Sequence, residues 1–264
     1  MSSLPTTALR YIRHRLRARS KYDLHSPFVF GFWSQVLKDR SFHEEFGMIE
    51  KLRSQLLKDK SHINITDLGA GAGDEISSQR VTSIRKIIKN SSVTPYWGRL
   101  LSRMAGYFKP AVTVELGTSL GVSTAYLAMG NPQGKITTIE GCHETAAIAS
   151  RNFEMLGLDN ISQETAPFEK ILPGLLEHLG KVDLFFVDGN HRKEPSLQYF
   201  HQCLQHIGYD SVIILDDIHW SGEMEEAWKA IREHPSVTLT IDLFRMGLVF
   251  FKEGLSREDF IIHF

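Results

Sequence analysis

Cysteine is scarce in this chain. Only Cys142 and Cys203 occur in 264 residues, with no CxxC or HxxxH spacing beside them. That pattern excludes a zinc site and a disulfide framework, and two buried thiols in a reducing compartment are expected. No apolar run reaches the length of a membrane span, and no apolar segment follows the basic N-terminus as a signal peptide requires. A cytoplasmic protein is expected. Two phosphate-binding signatures are also missing: the G-x-G-x-x-G of dinucleotide sites and the loop ending in Gly-Lys-Ser/Thr. Net charge is almost absent at −1, but it hides an asymmetry. Residues 1–110 carry 19 Lys and Arg against 9 Asp and Glu, whereas residues 111–264 carry 11 against 22. Two complementary packed surfaces account for this, and attraction of an anionic substrate is the alternative.

What the chain does have is one core's worth of apolar residues, 42% of the total, and one organising stretch, Val112 to Thr124. An apolar β-branched run (Val112, Val114, Leu116) ends at Glu115 and Gly117, and a helical pattern opens beyond Gly121. This is how a buried parallel strand turns into a helix. Glu115 beside the turn would repel a pyrophosphate and suits a cationic or hydroxyl-bearing ligand. The next strand, Lys135 to Glu140, ends in a carboxylate placed to accept both hydroxyls of a ribose. The glycine turn with Glu140 therefore reads as a nucleoside site without a diphosphate. Packing alone is the bland reading of Gly117 and Gly121.

From residue 111 onward the pattern alternates. Strands are expected at 112–116, 135–140, 161–165, 182–187 and 211–215, with helices at 121–129, 143–156, 168–178, 193–206 and 220–233. Two further strands, from Val237 and from Met246, have a short connection and pair antiparallel. The expected fold class is α/β: a Rossmann-like doubly wound sheet of five parallel strands plus a C-terminal antiparallel hairpin. An N-terminal helical cap over residues 1–90 is expected as part of the same domain, with the core over 91–264. The first helix, 7–19, carries five arginines around a thin apolar stripe of Leu9, Ile12 and Leu16. It reads as a helix lying on its own domain or on a dimer partner; a nucleic-acid or membrane-surface role is disfavoured. Ser26 and Pro27 start a second helix, and Phe42 to Leu57 a third. Ile63 to Gly73 mimics a glycine loop, but no second strand with a terminal acid follows. It is expected to be a surface loop or a lid.

Ligands of such sheets sit at the carboxyl ends of strands. The fourth strand runs into Asp188, and the fifth into Asp216 and Asp217. Three carboxylates on one rim repel unless a cation neutralises them, and oxygen ligands suit Mg²⁺, or Mn²⁺ or Ca²⁺. Helix capping by Asp216 and Asp217 is the bland alternative. His191 and His219 stand on the same loops as candidate proton acceptors, although a single histidine is more often structural.

Glu115 to Thr124 together with Ile139-Glu140 resembles the S-adenosylmethionine site of class I methyltransferases. It is most similar to the metal-dependent O-methyltransferases that act on catechol and caffeoyl-CoA, over about residues 91 to 252. The resemblance implies a cofactor set of Glu115, Gly117, Ser119, Gly121, Ser123, Glu140, Gly141, Pro167, Phe168 and Asp188. It also implies metal ligands Asp188, Asp216 and Asp217, where the family carries Asp, Asp and Asn, and a catalytic set of His191, His219 and Asp188. His191 stands where the family has a lysine base. The expected activity is methyl transfer from S-adenosylmethionine to a small hydroxylated substrate, in a chain that forms a homodimer. A non-catalytic nucleoside-binding regulator is the alternative; a nicotinamide oxidoreductase is disfavoured by the glycine spacing.

Overall fold

The computed structural model describes residues 4–18, 25–41, 43–67, 78–252 and 257–264. The chain divides into two compact units, one of residues 39–175 and one of residues 1–38 with 176–264.

The unit 39–175 carries helices α3 (Glu44–Leu56), α4 (Ile84–Asn90), α5 (Pro95–Phe108), α6 (Val122–Gly130) and α7 (His143–Leu156). Its sheet strands are β3 (Val112–Leu116), β4 (Lys135–Glu140) and β5 (Ile161–Thr165), all parallel, with β4 central. The apolar residues Val114, Leu116, Ile136 and Ile139 are buried, as strands covered on both faces require. β3 and β4 run in a register that sets Glu115 opposite Thr138 and Leu116 opposite Ile139. The expected strand and helix positions hold here to within a residue or two. Earlier in this unit, β1 (His62–Asp67) and β2 (Ser78–Ser83) form an antiparallel pair. Val81 lies in β2, 66% exposed, and the helix that follows begins at Ile84. The glycine-rich residues 68–73 lie outside the described residues.

The other unit begins with α1 (Leu4–Arg17) and α2 (Pro27–Phe32), which continues as a π-helical turn over Trp33–Leu37. As expected, Ser26 caps α2, accepting from Val29 N at 3.5 Å, with Pro27 in the first turn. Then come β6 (Val182–Val187), α9 (Lys193–Cys203), β7 (Ile207–Leu215), α10 (Gly222–Glu233), β8 (Leu239–Asp242), β9 (Gly247–Phe250) and β10 (Glu258–Ile261); α8 (Phe168–Leu179) leads into them from β5. β6 pairs parallel with β7, and β7 and β8 both pair antiparallel with β9. So the parallel strands and the terminal hairpin are those expected. β10, parallel to the edge of β8, was not anticipated. The α1 helix lies on its own unit through Arg10–Glu225 (3.0 Å) and His14–Asp242 (3.0 Å). Both cysteines are free and buried. Among the described residues no helix is long and apolar enough to cross a membrane.

Candidate functional site

In the unit 39–175 the strand-to-helix turn after β3 is built on positive φ angles: 104° at Gly117, 50° at Ser119 and 81° at Gly121. Gly117 N donates to Ile139 O (3.0 Å) and Gly121 N to Thr118 O (2.8 Å), which holds the turn against the end of β4. A Cβ on Gly121 would lie 2.5 Å from a ring carbon of Phe153, so the position is closed to larger residues both sterically and by conformation. The turn aims its backbone at Glu140. Ser119 N donates to Glu140 Oε2 at 2.7 Å, and Cys142 N donates to Oε1 at 3.0 Å. Two backbone donors thus fix the carboxylate, with Thr145 and the Gly141 backbone also acting on it. Ala166 N donates to Glu140 O (3.0 Å), which brings Pro167 and Phe168 up beside the end of β4. Burial, outweighing these bonds, pushes the Glu140 carboxyl above the ordinary carboxylate range.

Glu115 has a different place from the one its position in the motif suggests. It is wholly buried, and its Oε2 accepts from Thr124 Oγ1 (2.5 Å) and Thr138 Oγ1 (2.6 Å). Thr118 Oγ1 lies 2.6 Å from Thr138 Oγ1 and extends the chain. Burial pushes this carboxyl up as well. Glu115 therefore ties β3, β4 and the first turn of α6 together, rather than standing open to a ligand. Ser123 is buried in that same first turn. The threonine network could be anticipated only from the β3–β4 register.

The other unit contains the acidic rim. Asp216 N donates to Val187 O (2.9 Å), so the ends of β6 and β7 are side by side. Neither aspartate after β7 caps α10: Ser221 does, its Oγ accepting from Met224 N at 3.1 Å. Asp216, 1% exposed, instead accepts a fork from Arg245, with Nε at 2.9 and 3.1 Å from its two oxygens and Nη2 at 2.7 Å. Arg245 Nε is also 3.7 Å from Asp217 Oδ1. Asp217 sits at φ 54°, and burial together with the neighbouring Asp216 charge pushes its carboxyl up. His191 Nε2 lies 3.7 Å from Asp188 Oδ1.

These residues do not fit a divalent cation. Asp216 is already neutralised by a guanidinium, in the bidentate geometry that makes such pairs strong. Two unit charges about 4 Å apart near a protein surface interact by about 4 kcal/mol, and a dication doubles the repulsion from Arg245. Among the described residues, no three His, Cys, Asp or Glu are gathered as a metal would need. In place of the expected Mg²⁺, the cation at the rim is Arg245, which lies between two strands read from sequence and carries no motif of its own.

His219 does not stand free on the rim. Its Nε2 meets Asp242 Oδ2 at 2.9 Å, its Nδ1 meets Glu225 Oε1 at 3.0 Å, and its ring stacks on Phe244 with centroids 5.3 Å apart. The His14 ring lies 6.0 Å away, and Arg10 holds Glu225 from the far side. With both ring nitrogens occupied, His219 has none left to take a substrate proton. Burial alone would lower its pKa, but the two carboxylates outweigh it and raise it above 6.5. For Asp242, burial is outweighed by the bonds from His14 and His219, which hold it well below 3.8. The His219 contribution to stability is complete below pH 6.5 and is lost as pH rises through the raised value. The Asp242 contribution is present above pH 3.8 and is lost only in strong acid. Urea denaturation between pH 6 and pH 9 should show stability falling with pH in the wild type and a flatter profile in His219→Gln. Parallel profiles would remove His219 from this role.

Residues 114–218 match the family model for a methyltransferase domain. The chain is 32% identical to a catechol O-methyltransferase of Niastella koreensis over 50% of its own length and 61% of that protein. It is 30% identical to a catechol O-methyltransferase of Mycobacterium tuberculosis over 48% and 57% of the two lengths. The chain thus spans only about three-fifths of these curated relatives. Among solved structures, an O-methyltransferase from Bacillus cereus in complex with SAH superposes with a TM-score of 0.55 at 19% identity, covering 84% of this chain and 97% of that one. The fold is Rossmann-like, as in that O-methyltransferase, and residues 114–218 are similar to a methyltransferase domain. Over about half of its length it is similar to catechol O-methyltransferases and to a caffeoyl-CoA O-methyltransferase of Stellaria longipes.

Proposed function

We propose that the chain transfers a methyl group from S-adenosylmethionine to a hydroxyl of a small molecule. The observation that carries this reading is Glu140, a carboxylate fixed by two backbone N–H groups at a strand end beside a positive-φ turn. That donor set suits a ribose and has no room in its chemistry for a diphosphate. When bound, S-adenosylmethionine supplies an activated methyl whose bond to sulfur breaks with the electron pair staying on sulfur. Glu140 holds the nucleoside hydroxyls, with Gly117, Ser119, Gly121, Gly141, Pro167 and Phe168 around it; Glu115 and Ser123 keep the turn in shape. On the rim, His191 takes the proton that the acceptor oxygen loses as it gains the methyl, with the Asp188 carboxylate 3.7 Å away to balance the imidazolium that forms. The charge of Asp216 is already balanced by Arg245. The setting is a cytoplasmic one, to which two free buried thiols are suited, and the active form is a homodimer, as in the family the sequence resembles.

Calorimetry with S-adenosylhomocysteine and with NAD, followed by a methyl-transfer assay over catechols, other phenols and sugar hydroxyls, tests the proposal. Binding of S-adenosylhomocysteine with methylation of at least one acceptor class is expected. Binding of NAD alone would overturn it.

A further inference from the structure

We propose that Arg245 is the resident cation of the acidic rim, so that this protein works without a divalent metal; the consequence for catalysis rests on the methyl-transfer reading above. The argument begins with register. β7 and β9 run antiparallel, with Leu215 opposite Gly247. The residues just past the end of β7 are therefore met by the residues just before β9. Asp216 and Asp217 follow Leu215, and Arg245 stands two positions before Gly247. The hairpin backbone fixes this approach: Ile218 N donates to Arg245 O at 3.1 Å, and Leu243 N to Met246 O at 2.9 Å. Phe244, at φ 71°, turns the chain so that its own N–H meets Asp242 Oδ1 (2.9 Å). Arg245 is thus held from both sides of its backbone before its side chain makes any contact.

The side chain then places its charge against the whole rim. Nε and Nη2 are spent on Asp216, and Nε reaches toward Asp217. The Asp188 charge also acts on Arg245. A guanidinium differs from a divalent ion in three ways that matter here. It carries one charge, it cannot be stripped off by a chelator, and it cannot be replaced by another metal. Its side chain is 25% exposed, while Asp216 beneath it is closed off from solvent. A metal entering this rim would have to displace a covalently tethered cation from a fully desolvated partner. Removing the guanidinium would leave Asp216 and Asp217, with Asp188 close by, as oxygen ligands of the type hard cations choose.

The experiment uses the purified full chain and reads Mn²⁺ directly by electron paramagnetic resonance, so that it does not depend on knowing the acceptor. In the wild type, added Mn²⁺ should stay free. In Arg245→Ala it should bind, with affinity at least roughly tenfold above the wild type, the direction set by deleting a positive charge beside the ligands. Arg245→Lys keeps a charge and should stay close to the wild type. Circular dichroism checks that each variant is folded. If Arg245→Ala does not fold, the wild-type and Arg245→Lys titrations decide the matter. Stoichiometric Mn²⁺ binding by the wild type, lost in Asp216→Asn, would overturn the proposal, and so would a folded Arg245→Ala that gains no affinity. Where methyl transfer is measured, EDTA should leave the wild-type rate unchanged; an EDTA-sensitive rate restored by Mg²⁺ would overturn it too. Absence of transfer under every condition would sink the functional reading and leave the Mn²⁺ result standing.

Discussion

Replacing Asp242 with alanine should cost about 3–5 kcal/mol of folding stability, the scale seen when one partner of a buried charged network is removed. Asp242 is 5% exposed and gathers four donors onto two oxygens. His14 Nε2 (3.0 Å) and Phe244 N (2.9 Å) meet Oδ1, while His219 Nε2 (2.9 Å) and Trp228 Nε1 (3.1 Å) meet Oδ2. Alanine would leave two imidazoles and an indole N–H in a buried space without their acceptor. The effect should reach the rim as well, because Phe244 precedes Arg245 and its backbone is fixed by the same carboxylate. Asp242→Asn keeps the shape and one acceptor oxygen, and should lose less. Urea denaturation at pH 6, where both the carboxylate and His219 contribute fully, is the measurement. A loss below about 1 kcal/mol for Asp242→Ala would show that the donors find water or other partners, and that the network is not a stabilising hub.

The second large effect concerns the cofactor. Glu140→Ala should weaken S-adenosylhomocysteine binding by about 1–3 kcal/mol, or roughly 5- to 150-fold in Kd, the scale of hydrogen bonds lost to a part-buried polar partner. Two consequences are mixed in that number. Glu140 would accept from the ribose, and it also accepts from Ser119 N and Cys142 N. Glu140→Gln keeps one acceptor and the bulk, so it should hold the turn while losing the charge. Thermal unfolding of both variants separates damage to the turn from loss of the ligand bond. Because burial raises the Glu140 carboxyl, binding should weaken with acid at a higher pH than an ordinary carboxylate would give. An unchanged dissociation constant in calorimetry would remove Glu140 from the site.

Much of this molecule is legible along the chain, because the signals concerned are local. The run Val112 to Leu116, the turn at Gly117 and Gly121, and the acid closing Lys135 to Glu140 each depend on near neighbours. Apolar runs of strand length separated by helical spacing can arrange themselves in few ways, which is why the parallel strands and the terminal hairpin were anticipated. The chemistry of individual charged residues was not legible to the same degree. Glu115 has the sequence of a ligand, yet the register of β3 against β4 gives its carboxylate to Thr138 and Thr124. His219 has the position of a base, yet Asp242 and Glu225 occupy its ring. Arg245 carries no motif, yet the pairing of Leu215 with Gly247 carries it to Asp216 across 29 positions of chain. Local spacing determines which residues end strands and which open helices. Which carboxylate meets which cation depends on strands pairing from distant parts of the chain, and burial then decides whether that charge is open to a ligand or spent on the fold.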